Sequence, residues 1–227
     1  MPTPESADEF LLLAEESGVV DKPELEKALK LLTDQGADFS NASTLANSLV
    51  SNETLTRWQA GKLLEGRHQG FTLGKYRLLS LLGKGSMGTV YLAEHTMMRR
   101  RVALKVLPFD HVQQPAYLDR FIREARAVAS LDHANIVRAY DVGKEHEGKR
   151  DVYYLAMEYI DGQDLAKHVK DNGALDFVHA ANLMRQAARG LSHAHDRGLT
   201  HRDIKPGNLL LDSNDVIKIL DLGLAVF

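Results

Sequence analysis

The sequence predicts an α+β fold, in which a strand-rich lobe and a helix-rich lobe follow a small helical extension. Before about residue 70, apolar residues recur at the spacing of short amphipathic helices. From Tyr76 onwards, short runs rich in β-branched and aromatic residues alternate with turn-like stretches, which is typical of strands. After Gly162 the pattern becomes helical again. Strands first and helices later indicate two unequal lobes with a crevice between them.

The extension, residues 1–70, has two helix starts of the capping-box type. Asp21-Lys-Pro-Glu24 resembles such a box with proline in the first turn, and Thr56-Arg-Trp-Gln59 is the second. The second helix is predicted to end at Gly66, and another helix is predicted from Asn41 to Val50. No residue of the extension carries recognisable chemistry. It is either a small bundle or leader that packs on the rest of the chain, or a docking module.

The later elements follow from the same patterns. The predicted strands are Tyr76–Leu82, Thr89–Ala93, Val102–Leu107, Ile136–Val142 and Val152–Tyr159. The predicted helices are Pro115–Leu131 and Phe177–Arg197, and a final hairpin joins Leu209–Leu211 to Ile217–Leu220.

Composition excludes several classes of function. A formal net charge of −3 and a pI near 6.4 give no electrostatic reason to expect nucleic acid as a partner. The absence of cysteine excludes disulfides, thiolate catalysis and cysteine zinc sites. The apolar run Phe10–Ala14 is too short to span a bilayer, and the start lacks a signal peptide's basic region. We therefore expect a cytoplasmic protein with no membrane segment, although a longer parent could be membrane-anchored. The oligomeric state stays open.

A glycine-rich segment, Gly83-Lys-Gly-Ser-Met-Gly88, lies between two predicted strands. Glycines there let the backbone approach a polyphosphate closely and present its N–H groups to it. Taken alone, the segment could also be an ordinary hairpin turn. A dinucleotide-binding motif would need a helix directly afterwards, whereas Thr89 onwards continues as a strand.

Lys105 lies within an otherwise apolar predicted strand, and a buried lysine needs a partner. Glu124, in the next predicted helix, is the candidate. Such a pair would hold the ammonium group for the phosphates of a nucleotide. The alternative is a surface lysine at the end of a strand.

The segment His201-Arg-Asp-Ile-Lys-Pro-Gly-Asn208 combines a carboxylate, a lysine, a constrained turn and an amide in one short loop. Asp221-Leu-Gly223 then adds a second acidic residue at a turn. This combination suits phosphoryl transfer, in which the protein positions the reactants and neutralises charge.

Together these motifs resemble the eukaryotic-like (Hanks-type) protein kinases, and most closely their bacterial serine/threonine members. The resemblance covers about Tyr76 to Phe227 and includes Met157-Glu-Tyr159. It implies a protein-kinase-like fold with a β-rich N-lobe that has one major helix (76–159) and an incomplete α-helical C-lobe (160–227).

The resemblance implies a protein serine/threonine kinase that uses ATP and Mg²⁺, with Mn²⁺ also possible, on a protein substrate. Asp203 would accept or orient the proton of the substrate hydroxyl, and Lys205 would neutralise charge on the transferred group. Lysine at position 205 resembles the serine/threonine kinases, because tyrosine kinases typically carry other residues at this point. Asn208 and Asp221 would hold the metal ions.

The resemblance also implies a nucleotide site. The phosphates would be bound by Lys105, held by Glu124, and by the glycine-rich segment Gly83, Lys84, Gly85, Ser86, Met87 and Gly88. The adenine would be enclosed by Val90, Ala103 and Leu210, with Met157 behind it and the backbone of Glu158 and Tyr159 at its edge.

The sequence stops at Phe227, before the activation segment and the later helices of the family. We therefore expect a fragment or truncated gene product that is marginally stable, aggregation-prone or dependent on a partner, with Ile204, Leu209 and Leu224 more exposed. Two functions stay open: a protein kinase in its complete form, or a non-catalytic remnant that binds a nucleotide or a protein.

Overall fold

The computed structural model describes residues 2–85, 88–108, 115–147 and 150–220, with only the backbone of residues 115, 116, 120, 123, 124, 127 and 147. The chain divides into two compact units, Met1–Val102 and Ala103–Phe227. Among the helices of these described residues, none is long and apolar enough to cross a membrane.

Four helices begin the first unit: α1 (Ala7–Ser17), α2 (Lys22–Asp34), α3 (Ala42–Ser51) and α4 (Arg57–Leu64). Capping boxes begin three of them, at the N-cap residues Ser6, Asn41 and Thr56. Each box satisfies amide groups that the first helical turn leaves without partners. Helix α1 was not predicted as a separate element, although Ser6 and Glu9 have the spacing of a box.

The capping box predicted at Asp21 is wrong. Asp21 is the N-cap of α2, but its side chain makes no capping hydrogen bond. Pro23, at the second helical position, has no N–H, but the Glu24 amide at the third position, which is the donor in a capping box, is still present. The Glu24 carboxylate lies instead 4.0 Å from the guanidinium group of Arg77.

The four helices share one apolar core. Phe10, Leu45, Leu49 and Leu63 are fully buried in it, and the same cluster includes Phe71, which precedes the first strand. Burying such side chains contributes about 1.5–3 kcal/mol each. The extension is therefore a packed bundle whose core continues to the start of the sheet.

A six-stranded sheet contains β1 (Thr72–Leu73), β2 (Tyr76–Gly85), β3 (Gly88–His95), β4 (Arg100–Val106), β5 (Ala139–Glu147) and β6 (Arg150–Glu158). Its strand order is β1-β2-β3-β4-β6-β5. The antiparallel β2–β3 hairpin is longer than predicted, because its pairing continues through Lys84 with Thr89 to Gly85 with Gly88.

In the described part of the second unit lie the helices α5 (Pro115–Ala129), α6 (Leu165–Asn172) and α7 (Phe177–His195). Three short strands form its small sheet, in the order β7 (Gly162–Asp164), β8 (Leu209–Asp212) and β9 (Ile217–Ile219). The predicted final hairpin is β8–β9, and β7 adds a strand that the sequence did not reveal. Gly162 suits this pairing, since a Cβ there would lie 2.1 Å from the Leu211 carbonyl oxygen.

Asn135, a buried residue before β5, connects three parts of the second unit. Its side-chain amide donates to the Ile217 carbonyl oxygen at 2.9 Å and to Gln186 Oε1, on α7, at 3.1 Å. Its own carbonyl accepts from the Ile219 amide at 2.9 Å. Ile136, predicted to begin a strand, instead forms an isolated bridge with Ile219. These bonds hold β9 in place.

Candidate functional site

The loop between α7 and β8 carries the predicted catalytic residues. Pro206–Asn208 forms a 3₁₀ turn directly before β8. Arg202 has a φ of 63°, in the left-handed region that residues other than glycine rarely adopt. Strained backbone of this kind persists only where the surrounding structure holds it.

His201 supplies much of that support. Its side chain is 2% exposed, and its Nε2 donates to the Leu220 carbonyl oxygen at 2.8 Å. Its Nδ1 accepts from the Asp203 amide at 3.3 Å. These two bonds require a neutral imidazole with its proton on Nε2. The sequence placed His201 in this loop without revealing that it joins the loop to the residue before Asp221.

Asp203, Lys205 and Asn208 contact one another within the loop. Lys205 Nζ donates to Asp203 Oδ2 at 2.7 Å. Asn208 Nδ2 donates to the Asp203 carbonyl oxygen at 2.8 Å and to Oδ2 at 3.1 Å. The hydrogen bond from Lys205, and then that from Asn208, lowers the pKa of the Asp203 carboxyl group below its usual value. Asp203 is therefore ionised at neutral pH.

Removing the lysine should raise that pKa. In Lys205→Met we expect the Asp203 pKa to move up towards its ordinary value, because the largest stabilising hydrogen bond is lost. On acidification, Asp203 then becomes protonated at a higher pH in the variant than in the wild type, and any property that needs the ionised carboxylate is lost at that higher pH. The ¹³C chemical shift of the labelled carboxyl group, followed through an acid titration, measures this. Identical titrations of wild type and variant would contradict it.

Leu220 is held on both sides by the loop from His201 to Asn208. Its amide donates to the Asn208 carbonyl oxygen at 2.9 Å, while its carbonyl accepts from His201. Asp221, the next residue and a predicted metal ligand, lies outside the described residues. Leu220, the residue before Asp221, is thus held directly beside Asn208.

Asn208 fits a ligand role for a hard cation. Its side-chain nitrogen makes both hydrogen bonds to Asp203, so the amide oxygen is directed away from the Asp203 carboxylate. Amide and carboxylate oxygens are the ligands that Mg²⁺ accepts. Within the described part of the chain, no group of three or more His, Asp or Glu side chains could hold a metal ion.

The described residues of the glycine-rich segment, Gly83–Gly85 and Gly88, lie at the end of the paired β2 and β3 strands. Gly83 pairs with Val90, and an added Cβ at Gly83 or Gly85 would meet nothing within 4 Å, so the backbone there is open to a ligand. Gly88 has a φ of 133°, which L-residues rarely adopt. Ser86 and Met87 lie outside the described residues.

Lys105 is buried, with 5% of its surface exposed, in β4 beside the fully buried Leu104. Glu124 lies in α5 as predicted, but its side chain is outside the described part of the structure. The Lys105–Glu124 ion pair therefore stays a prediction.

The residues predicted around adenine are all half-buried: Val90, Ala103, Met157, Glu158, Tyr159 and Leu210. The Glu158 amide already donates to the Arg138 carbonyl oxygen at 2.9 Å. The Glu158 amide is thus already paired within the protein.

The Glu158 side chain forms an ion pair that the sequence did not reveal. Lys218 Nζ, on β9, donates to both carboxylate oxygens, at 2.9 and 3.0 Å. The two side chains are only 24% and 15% exposed. Lys218 lies three residues before Asp221, so this pair joins the end of β6 to the strand that leads to the predicted metal ligand.

A double-mutant cycle on Lys218→Met and Glu158→Gln should show coupling. Each single change leaves a half-buried partner without its counter-ion, whereas the double change removes both charges. We expect a coupling free energy of about 1 kcal/mol from urea unfolding. Lys144 and Asp151 form a more exposed pair (2.7 Å) and serve as a control with a smaller coupling. Strict additivity at 218 and 158 would contradict the prediction.

The predicted exposure of three apolar side chains is partly correct. Ile204 is 45% exposed, and Leu224 lies outside the described residues. The prediction for Leu209 is wrong, because Leu209 is buried in the core of the second unit, in a cluster with Leu165 and Leu183. The alternation along β8 turns Leu209 inwards.

Comparison with known proteins agrees with this geometry. The protein kinase domain family matches residues 76–227. Serine/threonine-protein kinase PrkC of Bacillus subtilis (strain 168) is 43% identical over 152 residues, which are 67% of this chain and 23% of PrkC. Serine/threonine-protein kinase PknA of Mycobacterium tuberculosis is 40% identical over 158 residues, which are 69% of this chain and 37% of PknA.

A solved structure shows the same similarity. The crystal structure of the M. tuberculosis PknI kinase domain matches with a TM-score of 0.59 and 34% identity, over 69% of this chain and 61% of that domain. This chain thus spans less than two thirds of each of these relatives. The sequence match, the structural match and the arrangement of the loop from His201 to Asn208 agree, and the chain belongs to the protein kinase family, with bacterial serine/threonine kinases among its relatives.

Proposed function

We propose that residues 76–227 bind ATP with Mg²⁺ and transfer its γ-phosphoryl group to serine or threonine hydroxyls of a protein. In this proposal residues 76–159 are the nucleotide-binding N-lobe, residues 160–227 are part of the C-lobe, and residues 1–70 are a helical extension. The observation that carries it is the grouping of Asp203, Lys205 and Asn208 within 2.7–3.1 Å contacts in one loop.

Asp203 is the group that receives the proton. Its lowered pKa keeps it ionised, so it can accept the hydrogen bond of a substrate hydroxyl and take the proton as the reaction proceeds. The hydroxyl oxygen forms a bond to the γ-phosphorus, the bond from that phosphorus to the β–γ bridging oxygen breaks, and ADP leaves. Lys205 places a positive charge beside the carboxylate, where the transferred group carries negative charge.

Asn208 and Asp221 would hold the metal ion. When bound, Mg²⁺ neutralises negative charge on the phosphates, and the same oxygen ligands also suit Mn²⁺. The contact of Asn208 with Asp203 supports this role, since it orients the amide.

The nucleotide contacts are proposed as the family resemblance implies them. The backbone of residues 83–88 would bind the phosphates, with Lys105 held by Glu124. Val90, Ala103, Met157 and Leu210 would contact the adenine. The open backbone of Gly83 and Gly85 supports the first of these roles.

A direct assay tests the proposed function. The chain is incubated with Mg²⁺ and ATP labelled at the γ-phosphate, together with a generic basic protein, and the labelled amino acids are identified after hydrolysis. Phosphoserine or phosphothreonine is the expected product, and phosphotyrosine would contradict the specificity. ATP binding that is weakened by Lys105→Ala, without any transfer, would support the non-catalytic alternative.

A further inference from the structure

Helix α4 of the extension begins with a capping box that has a second use. Thr56 Oγ1 accepts from the Gln59 amide at 3.1 Å, and Gln59 Oε1 accepts from the Thr56 amide at 2.9 Å. These two bonds cap the helix. The donors of the same two side chains point elsewhere: Thr56 Oγ1 donates to the Leu79 carbonyl oxygen, and Gln59 Nε2 donates to the Leu78 carbonyl oxygen at 2.7 Å.

The two carbonyls lie at an irregularity of β2. Leu78 pairs with Ala93 and Ser80 with Leu92, so Leu79 has no opposite residue in β3. A β-bulge of this kind bends its strand and leaves ladder groups without partners. Gln59 is 3% exposed, so the bond it makes is shielded from water. The capping box therefore supplies donors to carbonyl groups at the bulge.

Further contacts hold the extension against the same hairpin. The Trp58 ring lies edge-on to Tyr91 of β3, with centroids 5.8 Å apart, and edge-on to Phe71 at 6.0 Å. Arg77 of β2 donates to the Val19 carbonyl oxygen at 3.5 Å. The hydrogen bonds at the bulge are thus part of a larger contact in which the extension packs against the β2–β3 hairpin.

Strand β2 runs without a break from this bulge to the glycine-rich segment. A second register shift, between Leu81 and Gly83, follows the first. Because each bulge sets the bend and twist of the strand, the path of Gly83 and Gly85 depends on how Leu79 is held.

We propose that Thr56 and Gln59 are positioning residues for nucleotide binding: through the Leu78 and Leu79 carbonyls they fix the bulge of β2 and so the glycine-rich segment. This inference rests on the proposed function for its effect on ATP. The extension then contributes to nucleotide affinity without contacting the nucleotide.

Two variants separate positioning from helix capping. Gln59→Glu keeps an acceptor for the box but has no donor for Leu78. Thr56→Asp keeps a favourable N-cap and has no donor for Leu79. Thr56→Ser retains both functions and is the conservative variant. Ser6→Ala removes a cap from α1, whose box is exposed, and is the matched control.

Hydrogen exchange of the amides of residues 80–85 and the KM for ATP are measured for the full chain. In Gln59→Glu and Thr56→Asp we expect exchange at residues 80–85 to rise about five- to tenfold. The KM for ATP should rise by a similar factor, while kcat changes by less than about twofold. Thr56→Ser and Ser6→Ala should resemble wild type in both measurements.

Faster exchange in residues 57–64 alone, with residues 80–85 unchanged, would show that the box only caps the helix and would overturn the proposal. If the wild type fails to bind ATP, the proposed function fails, but exchange at residues 80–85 still decides whether the pair holds β2. Should Gln59→Glu not fold, Thr56→Asp gives the same decision.

Discussion

The proposed phosphoryl transfer should fall by about 10²- to 10⁴-fold in Asp203→Asn, with nucleotide affinity close to that of wild type. Asparagine has nearly the same size as aspartate and still accepts a hydrogen bond from Lys205, but it cannot take up the proton of the hydroxyl. Initial rates at saturating Mg-ATP give the loss of transfer. A labelled-nucleotide titration gives the affinity.

Asp196→Asn is the matched control for this experiment. Asp196 is the C-cap residue of α7, so this variant makes the same chemical change outside the loop from His201 to Asn208. We expect its transfer rate to equal that of wild type. A rate in Asp203→Asn within a factor of about ten of wild type would rule out proton acceptance by this carboxylate.

The chain should lose about 2–6 kcal/mol of stability in His201→Leu. In the wild type the buried His201 imidazole bonds to the Leu220 carbonyl and to the Asp203 amide, and leucine can make neither bond. Each group left unpaired costs about 1–3 kcal/mol. Because the same bonds hold the left-handed Arg202 and the position of Leu220, transfer should fall as well. Urea unfolding gives the stability, and the labelled-phosphate assay gives the rate.

His195→Leu tests whether the effect is specific to the loop. His195 is the last residue of α7 and is exposed, and such surface substitutions usually change stability by less than about 0.5 kcal/mol. Equal losses of unfolding free energy in the two variants would mean that the His201 hydrogen bonds do not stabilise the loop.

The sequence predicted local features well. Periodicity located β2, β3 and α7 to within a few residues, and the spacing of Thr56 and Gln59 predicted a helix start that the structure contains. It also placed Asp203, Lys205 and Asn208 in one short loop, and the structure shows the contacts among them.

The sequence could not predict contacts between distant segments. Nothing near Glu158 indicates that its carboxylate meets Lys218, and nothing near Gln59 indicates that its amide reaches Leu78. Such pairs depend on the packing of complete elements, and the polar side chains involved look like ordinary surface residues in a linear pattern. The failed box at Asp21 is the opposite case: the local pattern was present, but the Asp21 side chain makes no capping bond and the Glu24 carboxylate lies beside Arg77.

The bonds of Asn135 have a consequence for the order of folding. They join residues 135 and 217, which are 82 positions apart in the chain, whereas the β8–β9 hairpin joins residues only a few positions apart. Closing a long loop costs more chain entropy than closing a short one, and non-local contacts slow folding. We therefore expect the hairpin to form early and Asn135 to dock on it late, so that substitutions at Asn135 mainly accelerate unfolding and leave the folding rate nearly unchanged.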